Sequence, residues 1–115
     1  MLDLPDFLTP LEKSVLSLLI TGAELFENDL LSQIALSRLD RRENNGYGFF
    51  THFIPSEKPL LPWQDYRIHA TAKVGGQLCG FMLWIKAGKI DFLEGYPLGG
   101  DAWPNEETIS ELKLN

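Results

Sequence analysis

The side chains in this sequence that could do chemistry are few and do not form a known catalytic set. Two histidines, His52 and His69, and one cysteine, Cys79, are its nitrogen and sulfur donors. A zinc site normally takes three or four such ligands, so the sequence predicts no metal site. It contains no Gly-x-Ser-x-Gly elbow and no phosphate-binding glycine loop. The sequence therefore favours a protein without catalytic residues or a cofactor.

Glu94 is the acidic residue that admits two interpretations, because it follows a strongly apolar segment and shares a strand face with Tyr96. A carboxylate among apolar side chains needs a hydrogen-bond donor, or its pKa rises. In the structural interpretation, which we favour, Glu94 accepts hydrogen bonds from backbone or from the Trp103 indole and holds the segment 97–103. In the functional interpretation, Glu94, His52, Tyr96 and Trp103 form a ligand-binding or acid–base site.

The two histidines and the cysteine are all compatible with structural roles. His69 falls on the polar side of an alternating pattern, beside Arg67 and Lys73, which predicts an exposed histidine. His52 lies in an aromatic segment, where we favour a structural histidine over a ligand-binding one. Cys79 lies in an apolar strand and is predicted to be a small buried hydrophobic residue.

The elements that position these residues begin with two predicted helices. Thr9, Pro10 and Glu12 form a capping-box pattern, in which Pro10 fits the first helical position and Glu12 reaches back to the Thr9 amide. Apolar residues then recur at helical spacing up to Gly22. A second helix is predicted over residues 24–35, or from Asn28 onward. Because the linker is short, we expect an antiparallel helical hairpin.

The segment 76–96 predicts a β-hairpin whose two arms are apolar on both faces. Residues 86–88 suit a three-residue loop in which only Gly88 needs a positive φ. This register places Gly80 opposite Glu94. A strand that is apolar on both sides belongs in the middle of a sheet that is covered above and below.

Other segments predict further strands around this hairpin. Residues 47–54 follow an Asn-Asn-Gly turn, residues 66–73 alternate in polarity, and residues 109–114 form a short strand-like element. Residues 37–43 fit either a helix end or an edge strand, and the Asn-Asn-Gly turn that follows favours the strand. Gly48, which precedes two phenylalanines, indicates a bulge or a close approach by another backbone. We therefore predict an α+β fold, with an N-terminal helical hairpin packed on a four- or five-stranded antiparallel sheet.

Length and charge narrow the class of protein. At 115 residues with 44% hydrophobic content, the chain is predicted to form a single domain over residues 1–115. The net charge of −6 and the lack of a basic stripe argue against nucleic acid or a membrane surface as a partner. A lone cysteine, no visible signal peptide, and apolar runs shorter than the ~20 residues that span a bilayer predict a cytoplasmic protein.

The C-terminal half carries a resemblance to a known group of proteins. The motifs are Phe49-Phe50-Thr51-x-Phe53, Gly80-Phe81-x-Leu83, Leu93-Glu94-Gly95-Tyr96 and Trp103-Pro104. Over residues 46–104 the chain resembles a family of short, acidic, uncharacterised bacterial proteins with GFFTxF, LEGF or LEGY, and C-terminal WP motifs. The resemblance supports an α+β fold and implies no activity, cofactor or partner.

Two functional hypotheses follow from these observations. The favoured one is a non-catalytic protein-interaction module of a bacterial cytoplasm, adaptor-like or immunity-like, that holds another protein on an apolar sheet face or an aromatic loop. Its acidic charge would suit a basic partner. The alternative is a small-ligand-binding or enzymatic site around Glu94, His52, Tyr96 and Trp103.

The central hairpin also predicts self-association. It has two apolar faces, and two short helices can cover only one of them. A homodimer joined through the face away from the helices is therefore expected. The competing expectation is a monomer in which the proline-rich segment 55–63 folds over that face and buries Leu60, Leu61 and Trp63.

Overall fold

A computed structural model describes residues 3–58, 60–99, 102–105 and 107–114, and it has an α+β architecture with one antiparallel sheet. The helices are α1 (Pro10–Thr21) and α2 (Glu27–Ala35), with a 3₁₀ turn (Glu24–Phe26) between them. The strands are β1 (Arg38–Asn44), β2 (Phe49–Ile54), β3 (Asp65–Val74), β4 (Gln77–Lys86), β5 (Lys89–Pro97) and β6 (Ile109–Leu114).

The sheet has the strand order β1-β2-β5-β4-β3-β6, and all neighbouring strands are antiparallel. The predicted antiparallel sheet is confirmed, but it has six strands instead of four or five. The extra strand arises because both ends of the sheet extend: the charged segment after Ser37 pairs with β2, and the C-terminal segment pairs with β3. Both of these edge pairings contain a register irregularity.

The start of α1 follows the predicted capping box. The Thr9 N–H donates to Glu12 Oε1 at 2.7 Å, and the Glu12 N–H donates to Thr9 Oγ1 at 3.1 Å. Pro10 occupies the first turn, where its missing N–H costs nothing. The helix ends at Thr21, and Gly22 caps it in a right-handed conformation.

The two helices do not form the clear antiparallel hairpin that the sequence predicted. Helix α1 contacts β3, β4 and β6, whereas α2 contacts β5. Leu16 and Leu19 of α1 and Leu30 and Ile34 of α2 are fully buried. The helices contact each other, but each one also packs its apolar stripe on different strands of the sheet.

The β4–β5 hairpin has a different register from the predicted one. Ala87 and Gly88 both have a positive φ, 53° and 77°, so the loop has two residues rather than three. A bulge next to the turn shifts the pairing further. As a result, Gly80 lies opposite Tyr96 and not opposite Glu94. The bulge keeps the apolar side chains of both strands directed into the core.

The proline-rich segment 55–63 packs against the helical side of the molecule. Leu61 is buried in the core, and Trp63 meets Phe26 of the 3₁₀ turn edge to face at 5.3 Å. Leu60 stays 58% exposed, and Pro59 lies outside the described residues. The expectation that this segment folds over the face away from the helices is therefore wrong.

Candidate functional site

The sheet face opposite the helices, which we call the open face, carries side chains that are only partly buried. Side chains alternate between the two faces of a strand, so the residues of β4 and β5 that alternate with the buried core set point away from the helices. The register places on this face Phe50, His52, Met82, Trp84, Phe92, Glu94 and Tyr96. Leu78 extends the apolar surface and is 49% exposed.

Four rings on the open face form an aromatic cluster, which we define as Phe50, His52, Trp84 and Phe92. Phe92 lies at its centre, with ring centroids 5.6 Å from Phe50, 5.5 Å from His52 and 5.3 Å from Trp84. The Arg67 guanidinium lies 5.0 Å from the Trp84 ring centroid, within the range of a cation–π contact. The cluster therefore spans three neighbouring strands, β2, β5 and β4, and Arg67 extends it to β3.

Glu94 is bound to a different tryptophan from the one predicted. Its Oε1 accepts a hydrogen bond from Trp84 Nε1 at 3.2 Å on the open face. Trp103 instead packs with Phe49 on the opposite face, and its Nε1 donates to Glu107 Oε2 at 3.0 Å. The predicted link between Glu94 and Trp103 is therefore wrong, because the sheet separates them. Gly100 and Asp101 of the predicted loop lie outside the described residues.

Tyr96 is the predicted site residue that does lie beside Glu94. Both line an open cavity of about 290 Å³ together with Phe50 and Tyr47. Burial, followed by the negative charge of Glu94, raises the pKa of the Tyr96 hydroxyl above its usual range. The Tyr96 ring also packs over Gly80, where a larger residue would collide with it.

His52 shares the open face with Glu94 but does not line that cavity. Its Nε2 lies 3.0 Å from Glu43 Oε1 on the neighbouring strand, and its ring packs between Phe50 and Phe92. The four predicted residues therefore do not form one site. Glu94 and Tyr96 converge, His52 lies one cross-strand row away, and Trp103 is on the other face.

Changing Glu94 should affect Trp84 and leave Trp103 in place. Glu94→Ala should lower the free energy of unfolding by about 1 kcal/mol, because the partly buried indole N–H loses its acceptor. Glu94→Gln should lower it by less than about 0.5 kcal/mol, since an amide oxygen accepts the same bond. Glu107→Ala is the matched control, because it removes an exposed acceptor from Trp103. Equal losses for the two alanine variants in urea unfolding would contradict this assignment.

The buried carboxylate of Glu12, which the sequence indicated only as a helix cap, links three elements. Glu12 is 3% exposed and accepts hydrogen bonds from Arg42 Nη2 at 2.7 Å and from the Thr51 hydroxyl. Burial alone would raise its pKa, but these donors, the Thr9 amide and the charge of Arg42 together hold the pKa of Glu12 below its usual value of 4.5. The signal was present in the sequence, because Glu12 and Leu16 lie on one helical face.

Glu12 is a structural group and not a catalytic one. Both of its oxygens have donors, so it has no free lone pair aimed at a ligand. Cys79 is also buried, and burial raises the pKa of its thiol, which makes it inert rather than nucleophilic. Neither residue adds chemistry to the open face.

Charges of both signs surround the aromatic cluster. By register the cations of the open face are Arg38, Arg41, Arg67, Lys73, Lys86, Lys89 and Lys113. Acidic side chains lie near these cations. Each one shares the open face, pairs with one of the cations or lines a cavity beside Trp84: they are Asp40, Glu43, Glu57, Asp65, Asp91, Glu94 and Glu111. Once the acidic side chains that pair with its cations from flanking positions are included, the open face is close to neutral, although the chain has a net charge of −6.

Comparison with known proteins adds no assignment to this geometry: no family model, curated protein or solved structure matches the chain. Within the described part of the chain, no group of three or more His, Cys, Asp and Glu side chains is placed to hold a metal ion. In the same residues, neither helix has the length and apolar character needed to cross a membrane.

Proposed function

We propose that this protein is a non-catalytic protein-interaction module that binds another polypeptide chain through the open face. The observation that carries the proposal is the partly buried aromatic cluster on the sheet face opposite the helices. Aromatic residues, methionine and arginine are enriched where proteins meet, and Met82 and Arg67 lie beside the cluster. Open cavities of about 290 and 450 Å³ flank it and could receive side chains of a partner.

The contacts within the cluster favour a protein partner over a nucleic acid. Bases bind to sheet faces by stacking on free aromatic rings. Trp84 has Phe92 on one side and Arg67 on the other, so both flanks of its ring are occupied. The chain also has an excess of acidic residues, which would repel phosphates.

The role we propose is adaptor-like or immunity-like, in a bacterial cytoplasm. A second candidate is a small-ligand site at Glu94 and Tyr96, which the 290 Å³ cavity that they line favours. The bond from Trp84 to Glu94 weakens this candidate, because it engages one carboxylate oxygen in a structural role.

Affinity capture with matched variants tests the proposal. Tagged wild-type protein should retain a specific polypeptide from an extract of the native host, and Trp84→Ala should lose it, because the variant removes the largest ring of the cluster. Leu25→Ala is the control, since Leu25 is 90% exposed at the 3₁₀ turn and lies outside the open face. Circular dichroism should show that all three proteins are folded.

The outcome that would contradict the proposal is equal retention by Trp84→Ala and wild type. A retained small molecule in place of a polypeptide, lost on Glu94→Ala and kept on Trp84→Phe, would favour the ligand site instead.

A further inference from the structure

We infer that the polypeptide bound on the open face is a second copy of this chain, with the two sheets packed face to face about a two-fold axis parallel to the strands. This inference rests on the proposed function and names the partner. Its support comes from the area of the open face, from the distribution of charge over the molecule, and from the difference in charge between the two halves of the face.

The area of the open face matches what a stable dimer needs. Six strands spaced about 4.8 Å apart make a sheet about 24 Å wide. Strands of six to ten residues, at about 3.3 Å per residue, are about 20–33 Å long. The face therefore covers on the order of 600 Å² in projection, and side-chain relief increases its accessible area. A standard protein interface buries about 800 Å² on each partner.

The distribution of charge favours this face over the rest of the surface. Two copies with a net charge of −6 each repel one another. The open face is close to neutral, because its cations are matched by acidic side chains such as Glu43 beside Arg41 and Glu111 beside Lys73. A second copy can therefore approach this face with little repulsion, whereas the remaining surface carries the acidic surplus.

The two halves of the open face have opposite charge, which selects the orientation. In the half formed by β3, β4 and β6, two acidic side chains, Asp65 and Glu111, are outnumbered by the cations Arg67, Lys73, Lys86 and Lys113. In the half formed by β1, β2 and β5, the three cations Arg38, Arg41 and Lys89 are outnumbered by Asp40, Glu43, Glu57, Asp91 and Glu94. A two-fold axis parallel to the strands, between β4 and β5, lays the basic half of one copy over the acidic half of the other. A two-fold axis that lies in the plane of the sheet but perpendicular to the strands would instead place the basic half of one copy over the basic half of the other.

Sedimentation tests the inference in solution. The wild-type chain of 13.0 kDa should sediment at twice its mass at concentrations of tens of micromolar. Leu78→Glu should raise the dimer dissociation constant about 30-fold or more, because it buries a charge in the apolar part of the interface. Leu25→Glu, which makes the same change outside the open face, should leave the dissociation constant unchanged.

A second pair of variants tests the arrangement of charges. Arg67→Glu should raise the dissociation constant about fivefold, since it places like charges together across the interface. Lys58→Glu makes the same change in net charge on the loop between β2 and β3, and it should have a smaller effect. Equal effects of the two substitutions would overturn the proposed orientation.

Other outcomes separate this inference from the proposed function. A wild-type monomer at 100 μM would overturn the second copy, and the proposed function would still stand if Trp84→Ala loses a different captured polypeptide. If the dimer is unaffected by Leu78→Glu, the copies do not meet through the open face, and the inference that a second copy occupies this face is overturned. A monomer that also retains no polypeptide through the open face would overturn both.

Discussion

Glu12→Ala is expected to lower the free energy of unfolding by about 3 kcal/mol, the low end of the range for breaking a buried ion pair. The substitution removes the acceptor for Arg42, for the Thr51 hydroxyl and for the Thr9 amide at once. The loss stays at the low end because the Arg42 side chain is 37% exposed and can return to water. Urea unfolding at pH 7 measures it. Asp29→Ala, an exposed acidic residue in the first turn of α2, is the control and should change stability by less than about 0.5 kcal/mol.

The pH dependence of the difference in stability between wild type and Glu12→Gln provides an independent check on the role of Glu12. The folded protein holds the pKa of Glu12 below its ordinary value of 4.5. The ionised carboxylate therefore contributes its full stability above that value, and the contribution is lost as the pH falls through the lower folded pKa. The gap between wild type and Glu12→Gln should shrink as the pH falls below 4.5. A gap that is constant from pH 7 to pH 3 would contradict the network.

Gly48→Ala is expected to lower the free energy of unfolding by about 2–3 kcal/mol. A methyl group at Gly48 would collide with the carbonyl oxygen of Gly95, which belongs to the central strand β5 and cannot move without disturbing its hydrogen bonds. This close approach places Gly48, just before β2, directly against the backbone of β5. Thermal and urea unfolding should both report the loss.

Gly46→Ala is the matched control for this effect, because it lies in the same turn and has open space around it. Its φ of 83° makes alanine unfavourable there, at a cost of about 1 kcal/mol. Gly48 has no positive φ, so its loss reports the collision, whereas the loss at Gly46 reports backbone strain. The loss at Gly48 should be larger by about 1–2 kcal/mol. If Gly48→Ala were no worse than Gly46→Ala, the collision with Gly95 would be contradicted.

Local signals in the sequence predicted local structure well. The capping box at Thr9 and Glu12 depends only on residues three apart, and it formed as expected. The close backbone approach predicted at Gly48 is also present. Strand β3 was predicted from the alternation of polarity in residues 66–73. These features depend on neighbouring residues, so a single sequence contains the information that specifies them.

The features that depend on the whole sheet were not predictable in the same way. Alanine disfavours a positive φ, so nothing at Ala87 indicated a two-residue turn, yet the hairpin adopts one and shifts its register. That shift moved Glu94 away from Gly80. Trp103 was assigned to Glu94 by proximity in sequence, but its contacts with Phe49 and Phe81 hold it on the other face of the sheet.

Partners that are distant in sequence account for the remaining difference. Thr51 and Arg42 lie far along the chain from Glu12, and only the pairing of β1 with β2 brings them beside it. Helical spacing placed Glu12 near the buried stripe, so the sequence contained half of this network. The donors to Glu12 could be identified only from the pairing of β1 with β2.

The two irregular edge strands have a consequence for how copies of this protein can aggregate. A flat edge with unpaired N–H and C=O groups invites another strand to add, and repeated addition leads to fibres. Strand β1 is densely charged and bulged near Asp40, and β6 is short and irregular, with Glu111 at a φ of 51°. Both edges therefore resist strand addition, so that crowding should not convert the chain into amyloid through its native sheet edges.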